Sequence, residues 1–206
     1  MFTVGPLQEN CFLVRADGGD RALLVDPGDE AQRLQGVMDE LGVTLEAILL
    51  THTHFDHVGA VAPVAKATGA PVYCPRDELP FLKDPGAFFP PMFGTVEGWE
   101  AEHALDGGDR LELARLDIEV LSTPGHSPGH VTFVIGGDLF SGDVLFQGSI
   151  GRTDLPGGDH ALLMSSIASL LERFDDDTRV HPGHMGLTTL GRERATNPFL
   201  QALAGR

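Results

Sequence analysis

Thr51-His52-Thr53-His54-Phe55-Asp56-His57 stands directly behind the apolar run Glu46-Ala47-Ile48-Leu49-Leu50, and this junction decides the reading of the chain. The run reads as a strand, and four side chains able to ligate metal arrive just as it ends. Imidazole suits zinc, iron and copper, while carboxylate suits harder cations, so the mixed set fits a transition metal. In extended backbone successive side chains alternate faces, which puts His52 and His54 on the same side, able to share one ion. Asp56 and His57 fall where the chain turns into Val58-Gly59-Ala60-Val61, in position to serve a second ion. An N-cap role for the following helix would account for Asp56 but leaves three histidines without a purpose.

Working outward, strand-length apolar runs alternate with helical patterns. Cys11-Phe12-Leu13-Val14 and Ala22-Leu23-Leu24-Val25 read as a hairpin around Asp17-Gly18-Gly19-Asp20. A helix is expected from Glu30 to Leu41, with Leu34, Val37, Met38 and Leu41 on one face and Gly42 ending it. Another is expected from Val58 to Thr68, despite Pro63, followed by strand Val72-Tyr73-Cys74. Between Asp84 and Glu100 the pattern gives way to Pro, Gly and Phe, and the Pro85–Gly94 segment reads either as a lid over a site or as packing over the core. Strands follow at Arg110–Leu113, Ile118–Leu121, Val131–Ile135 and Leu139–Ser141. A helix from His160 to Phe174 carries Leu162, Leu163, Ile167, Leu170 and Leu171. Strand Arg179–His181 and a short helix near Pro198 to Ala204 close the chain. Interleaved strands and helices without a linker predict one α/β layered domain over residues 1–206.

At 206 residues with 42% hydrophobic content, the chain has ample length for a core. The formal charge of −16, from 14 basic against 30 acidic residues, argues against a nucleic-acid partner. No run reaches the length of a membrane span, and Met1–Pro6 lacks a basic segment followed by an apolar one, so neither membrane insertion nor secretion is expected. Cys11 and Cys74 have no ligand spacing and read as small packed hydrophobes, which fits a cytoplasmic address. No feature specifies an oligomeric state.

Three further candidates follow strands: His126 and His130 within Thr123-Pro124-Gly125-His126-Ser127-Pro128-Gly129-His130, Asp143 after Ser141-Gly142, and His184 after His181-Pro182-Gly183. A histidine beside Gly and Pro is ordinarily a loop residue. Three such positions behind the first cluster make a constellation.

With Val25-Asp26-Pro27-Gly28, these motifs in this order resemble the metallo-β-lactamase superfamily over nearly the whole chain. The resemblance implies a four-layer αββα sandwich of two facing mixed sheets with metals at one edge. It implies that His52, His54 and His126 hold a first ion, that Asp56, His57 and His184 hold a second, and that Asp143 bridges them. Asp26 would orient the cluster loop, and His130 would support the ligands from outside the coordination sphere. The ions implied are two divalent metals, zinc first, with iron or manganese as alternates.

Within that superfamily, Gly142–Phe146, Gly148–Asp154 and Thr196–Leu200 are similar to the short bacterial and archaeal relatives of glyoxalase II. Asp143 stands where β-lactamases usually carry Cys. The implied activity is hydrolysis of a small-molecule thioester, S-D-lactoylglutathione or a related acyl-thiol, by a metal-bound hydroxide, with Asp56 also taking a proton from the attacking water. Arg152 would bind the glutathione moiety; the alternative for it is a surface ion pair. The chain ends without the helical region with which longer relatives grip glutathione. The rival reading is a persulfide dioxygenase with one iron on His52, His126 and Asp143, drawn from the shared segment Gly151-Arg152-Thr153-Asp154. A metal-binding protein without turnover is a third.

Overall fold

The computed structural model describes residues 1–88 and 95–201. Its architecture is two six-stranded mixed sheets with helices on their outer faces. The first sheet holds β1 (Phe2–Val4), β2 (Glu9–Val14), β3 (Arg21–Val25), β4 (Thr44–Leu49), β5 (Val72–Pro75) and β6 (His103–Leu105), in that order. Its first three strands pair antiparallel, the hairpin register setting Phe12 opposite Val25, and β3 to β6 run parallel.

The second sheet is built from β7 (Arg110–Leu113), β8 (Leu116–Ser122), β9 (Val131–Ile135), β10 (Asp138–Gly142), β13 (Arg179–Pro182) and β14 (Thr188–Thr189). The pair β11 (Leu145–Phe146) and β12 (Ser149–Ile150) forms a small separate ribbon. β7 to β10 form an antiparallel meander, and β13 returns parallel to β10. That parallel return needs a crossover, supplied by α5 (His160–Arg173).

The period-two alternation of the strands sorts their side chains into layers. Leu23, Val25, Ala47 and Leu49 point inward and meet Ile118, Val120, Phe133 and Ile135 of the other sheet. Leu24, Ile48 and Leu50 point outward and are covered by α1 (Ala31–Leu41) and α3 (Val61–Thr68). Leu163, Ile167 and Leu170 of α5 cover the outside of the second sheet, against Leu139 and Val180. The expected αββα order is thus the observed one. Cys11 and Cys74 are buried free thiols. Among the described residues no helix is long and apolar enough to cross a membrane.

Several local expectations are corrected. The helix expected over Val58–Thr68 is two: α2 (Phe55–Val58) and α3, separated at Gly59 and Ala60. The Ala60 N–H leaves the helical ladder to donate to the Pro27 carbonyl at 2.9 Å, and a Cβ on Gly59 would stand 2.3 Å from the Gly28 carbonyl oxygen. Close contact with the loop after β3 therefore breaks the helix. Pro63 then falls in the first turn of α3, where no N–H is required. Leu41 and Leu162, expected on buried faces, are 46% and 43% exposed at the edges of their helical stripes.

Among the described residues the last helix is α6 (Leu190–Thr196), upstream of the expected Pro198–Ala204. Thr189 caps its start, accepting from the Arg192 N–H at 3.3 Å, and Asn197 is extended, as a residue before proline prefers. Residues 198–201 form a turn, and 202–204 lie outside the described residues. Of the Pro85–Gly94 segment, Pro85–Ala87 forms one 3₁₀ turn, while 89–94 lie outside the described residues.

Candidate metal centre

All the candidate residues sit at one edge of the sandwich because of strand direction. β8, β10 and β13 run the same way through the second sheet, so the loops bearing His126, Asp143 and His184 emerge together. β3 and β4 run parallel in the first sheet and bring Asp26 beside the 51–57 cluster. The two groups of loops are stitched together by Val131 N–H donating to the Thr51 carbonyl at 2.9 Å.

Three ring nitrogens converge. His52 Nε2 lies 3.1 Å from His54 Nδ1 and 3.2 Å from His126 Nε2, and His54 Nδ1 lies 2.7 Å from His126 Nε2. Tetrahedral ligands about 2.0–2.1 Å from zinc stand about 3.3 Å apart, so the trio is close to a ligating arrangement. Its tautomers are set from behind. His126 Nδ1–H donates to the Arg152 carbonyl at 2.7 Å, leaving Nε2 a lone pair. Thr51 Oγ1 spends its proton on Asp26 Oδ2 at 2.6 Å, so it accepts from His52 Nδ1–H at 3.0 Å. Burial, followed by the His126 charge, holds His54 down to about 3, and burial and neighbouring histidines push His52 well below the usual range. His52 and His54 are therefore neutral imidazoles, the ligating form, at neutral pH.

The second group is Asp56, His57 and His184. His184 Nε2 lies 3.2 Å from Asp56 Oδ2. Asp143 stands between the groups: Oδ1 is 3.3 Å from His57 Nε2, and Oδ2 is 3.4 Å from His126 Nε2 and 3.6 Å from His184 Nε2. His57 Nδ1–H donates to Asp26 Oδ2 at 3.1 Å, which turns the Nε2 lone pair toward a carboxylate oxygen. His57 Nε2 and Asp143 Oδ1 are both buried without a hydrogen-bond partner. This facing pair in a dry site calls for a cation, met by a proton on His57 Nε2 in the metal-free protein, and a divalent metal fits the same residues. The electrostatics agree in sign: burial opposes it, yet Asp143, Asp26 and Asp56 hold His57 well above the ordinary histidine range. Against its own burial, Asp143 is held far below the carboxylate range by His57, His126 and His184.

Asp26 could also be grouped with His52 and His57, but its oxygens are occupied: Oδ1 accepts from the Thr51 N–H at 2.8 Å, and Oδ2 serves Thr51 and His57. It supports the site from behind, as does His130, whose Nε2 accepts from the Asp143 N–H at 3.0 Å. Gly183 permits the close packing, since a Cβ there would lie 2.3 Å from Asp143 Oδ1. The Arg152 guanidinium is exposed and engaged by Asp154 through Nε–Oδ1 at 2.7 Å and a second contact at 2.8 Å. A cavity of about 250 Å³ opens beside Asp56, lined by Phe55, Gly28, Asp29, Pro6 and Val96 among others.

Three residues that sequence reasoning missed serve the site. Asn10 Nδ2 donates to the Pro182 and Met185 carbonyls at 3.0 and 2.8 Å, clamping the loop of His184. Glu9 is 1% exposed and 3.8 Å from His57 Nδ1, with burial pushing its carboxyl well above the usual range. Glu78, also buried, binds both histidine loops. A polar residue inside an apolar strand pattern is the only hint the sequence offers for Glu9 and Asn10.

Comparison with known proteins identifies the family of the fold that carries this site. The family model described as metallo-beta-lactamase superfamily matches residues 4–184. A Bacillus subtilis protein named probable metallo-hydrolase YqgX is 40% identical over 98% of this chain and 96% of its own. The Haemophilus influenzae hydroxyacylglutathione hydrolase GloC is 38% identical over 97% and 96%. Among solved structures, the B3 metallo-beta-lactamase BLEG-1 superposes with a TM-score of 0.90 at 42% identity, covering 96% of this chain and 97% of its own. TTHA1623 in a di-iron-bound form gives 0.85 at 46%, covering 97% and 98%. ETHE1 from Myxococcus xanthus gives 0.78 at 27%, covering 95% and 81%.

Proposed function

The chain belongs to the metallo-beta-lactamase superfamily, and from that premise we propose that it is a metal-dependent thioester hydrolase acting on S-D-lactoylglutathione or a related acyl-thiol. The two-ion reading is carried by a buried facing pair, His57 Nε2 of the second set and Asp143 Oδ1, with Asp143 reaching His126 of the first set through Oδ2 at 3.4 Å. His52, His54 and His126 would hold one ion, Asp56, His57 and His184 the other, with Asp143 shared. Zinc is the first choice; the di-iron form of a 46%-identical structure makes iron the next, and manganese remains in the set. Bound divalent ions supply an acidified water and polarise a carbonyl oxygen.

The chain's own residues do the rest. Asp56, which lines the 250 Å³ cavity and stands 3.2 Å from His184 Nε2, can take the proton of an attacking water. Phe55, Pro6 and Val96 give that cavity apolar walls for the acyl or thiol portion. Arg152, by exchanging Asp154 for an acidic group of the substrate, supplies a cation at the site's edge. The GloC relative supports the glutathione thioester, and the buried free thiols support a reducing, cytoplasmic setting.

The test is direct. The purified protein is analysed for metal, then offered S-D-lactoylglutathione, a β-lactam, and glutathione persulfide in an oxygen electrode. Two metals per chain with thioester loss are expected. One iron with oxygen uptake, or β-lactam opening without thioester loss, would refute the proposal.

A further inference from the structure

Glu78 belongs to no ligand loop, yet it is only 2% exposed and its carboxylate collects three donors. Oε2 accepts from Thr53 Oγ1 at 2.6 Å, while Oε1 accepts from Ser127 Oγ at 2.6 Å and from the Gly129 N–H at 2.9 Å. Thr53 is the residue between His52 and His54, and Ser127 directly follows His126. One carboxylate thus ties together the two chain segments, 72 residues apart, whose ring nitrogens converge at 2.7 Å between His54 and His126. Hydroxyl donors at such short range to a carboxylate are charge-assisted and hold direction firmly.

The delivery of Glu78 is equally specific. It ends the 3₁₀ turn Arg76–Glu78 after β5 and is backed by α4 (Leu79–Lys83), whose Leu82 is buried in the outer core. The Gly129 segment is pressed against it, for a Cβ there would stand 2.8 Å from Glu78 Cγ. The second ligand set is supported separately: Asp26 and Glu9 face His57, and Asn10 clamps residues 182–185. None of the three donors to Glu78 belongs to that set.

We propose that Glu78 is a positioning residue for the first metal-binding trio alone, fixing the spacing of His54 and His126 by holding Thr53 and Ser127 at once. This rests on the two-ion reading above. Loss of such an outer contact ordinarily weakens metal binding about 10–100-fold. Glutamine can keep much of the arrangement, its oxygen accepting from Ser127 and Gly129 and its amide donating to Thr53 Oγ1.

The experiment compares wild type, Glu78→Gln and Glu78→Ala as full-length protein loaded with cobalt(II). It uses competitive chelator titration, the visible spectrum, and the thermal midpoint of the metal-free form. For Glu78→Ala we expect one equivalent to keep wild-type affinity while the other weakens about 10–100-fold, with altered cobalt bands. Glu78→Gln should recover most of both. Two equivalents at wild-type affinity in the alanine variant would overturn the proposal. So would parallel loss of both equivalents with no rescue by glutamine, which would mark Glu78 as a general folding residue. None of these readouts needs turnover, so a wild type that hydrolyses no thioester defeats only the proposed function. A hydrolytic wild type with an unaffected alanine variant defeats only this inference.

Discussion

Replacing Gly28 by alanine probes how tightly the ligand loop is held by backbone it does not belong to. A Cβ at residue 28 would lie 1.7 Å from the Asp56 carbonyl oxygen and 2.7 Å from Glu9 Oε2. An ordinary C···O contact is about 3.3 Å, so the chain at Asp56 must retreat by about 1.5 Å. The obstacle is a backbone carbonyl, which no rotamer change can relieve. Asp56 and His57 lie on this segment, and a misplacement of about 1 Å in a reacting geometry costs about 100-fold in rate. Overpacking of this kind costs about 1–3 kcal/mol, which in a chain of this size lowers the thermal midpoint by about 2–12 °C. The assays are differential scanning calorimetry, metal analysis, and kcat/KM for thioester hydrolysis. Gly28→Ala is expected to lose the second metal equivalent and about two orders of magnitude in kcat/KM, while the first trio stays loaded. A variant with both metals, wild-type kcat/KM and an unchanged midpoint would refute the packing argument, and with it the assignment of Asp56 and His57 to the site.

Asp143→Ala removes the group between both ligand sets, so metal content and activity should fall together; full activity with two metals would count against its shared role. Arg152→Ala breaks only an exposed ion pair, so stability should change by less than about 1 kcal/mol while KM for the glutathione thioester rises at constant metal content; an unchanged KM would assign the guanidinium to Asp154 alone. Acid should act on the metal-free protein through opposing groups. His54 is held down to about 3, so the folded state binds fewer protons than the unfolded chain, and its contribution is lost as pH falls from about 6.5 toward 3. His57 is raised, so its contribution is present below about 6.5 and is lost as pH rises through its folded value. Denaturant titrations of metal-free His54→Gln and His57→Gln should therefore lose pH dependence on opposite sides of that value, and matching profiles would contradict the environments described.

Much of the edge was readable because its signals are local. Apolar runs marked nine strands of the two sheets, though not the short β1, β6 and β14, and the ligand clusters follow strand ends, with His126 and His184 among Gly and Pro that fix tight loops. What stayed hidden depends on contacts distant in sequence. Asn10 finds its partners 172 and 175 residues away, and Glu78 reaches Ser127 across 49. The break at Gly59 comes from a bond to Pro27 that helical periodicity cannot register. Pro198 is compatible with either end of a helix, and the Thr189 cap together with the Asn197 contacts to Ser149 and Glu193 made it the far end.

The clamp from Asn10 to residues 182–185 has a consequence for how the molecule comes into being. The strand bearing Asn10 is synthesised early, yet the clamp can close only once residues 182–185 have left the ribosome. Contacts of such sequence separation make for slow folding, because closing a long loop precedes its reward. A nascent chain ending before β13 would hold His52, His54 and His126 but not His184. Assembly of the edge would therefore have an order: the first ligand trio can come together before residues 182–185 are made, and the second set only once they have emerged and Asn10 has closed on them.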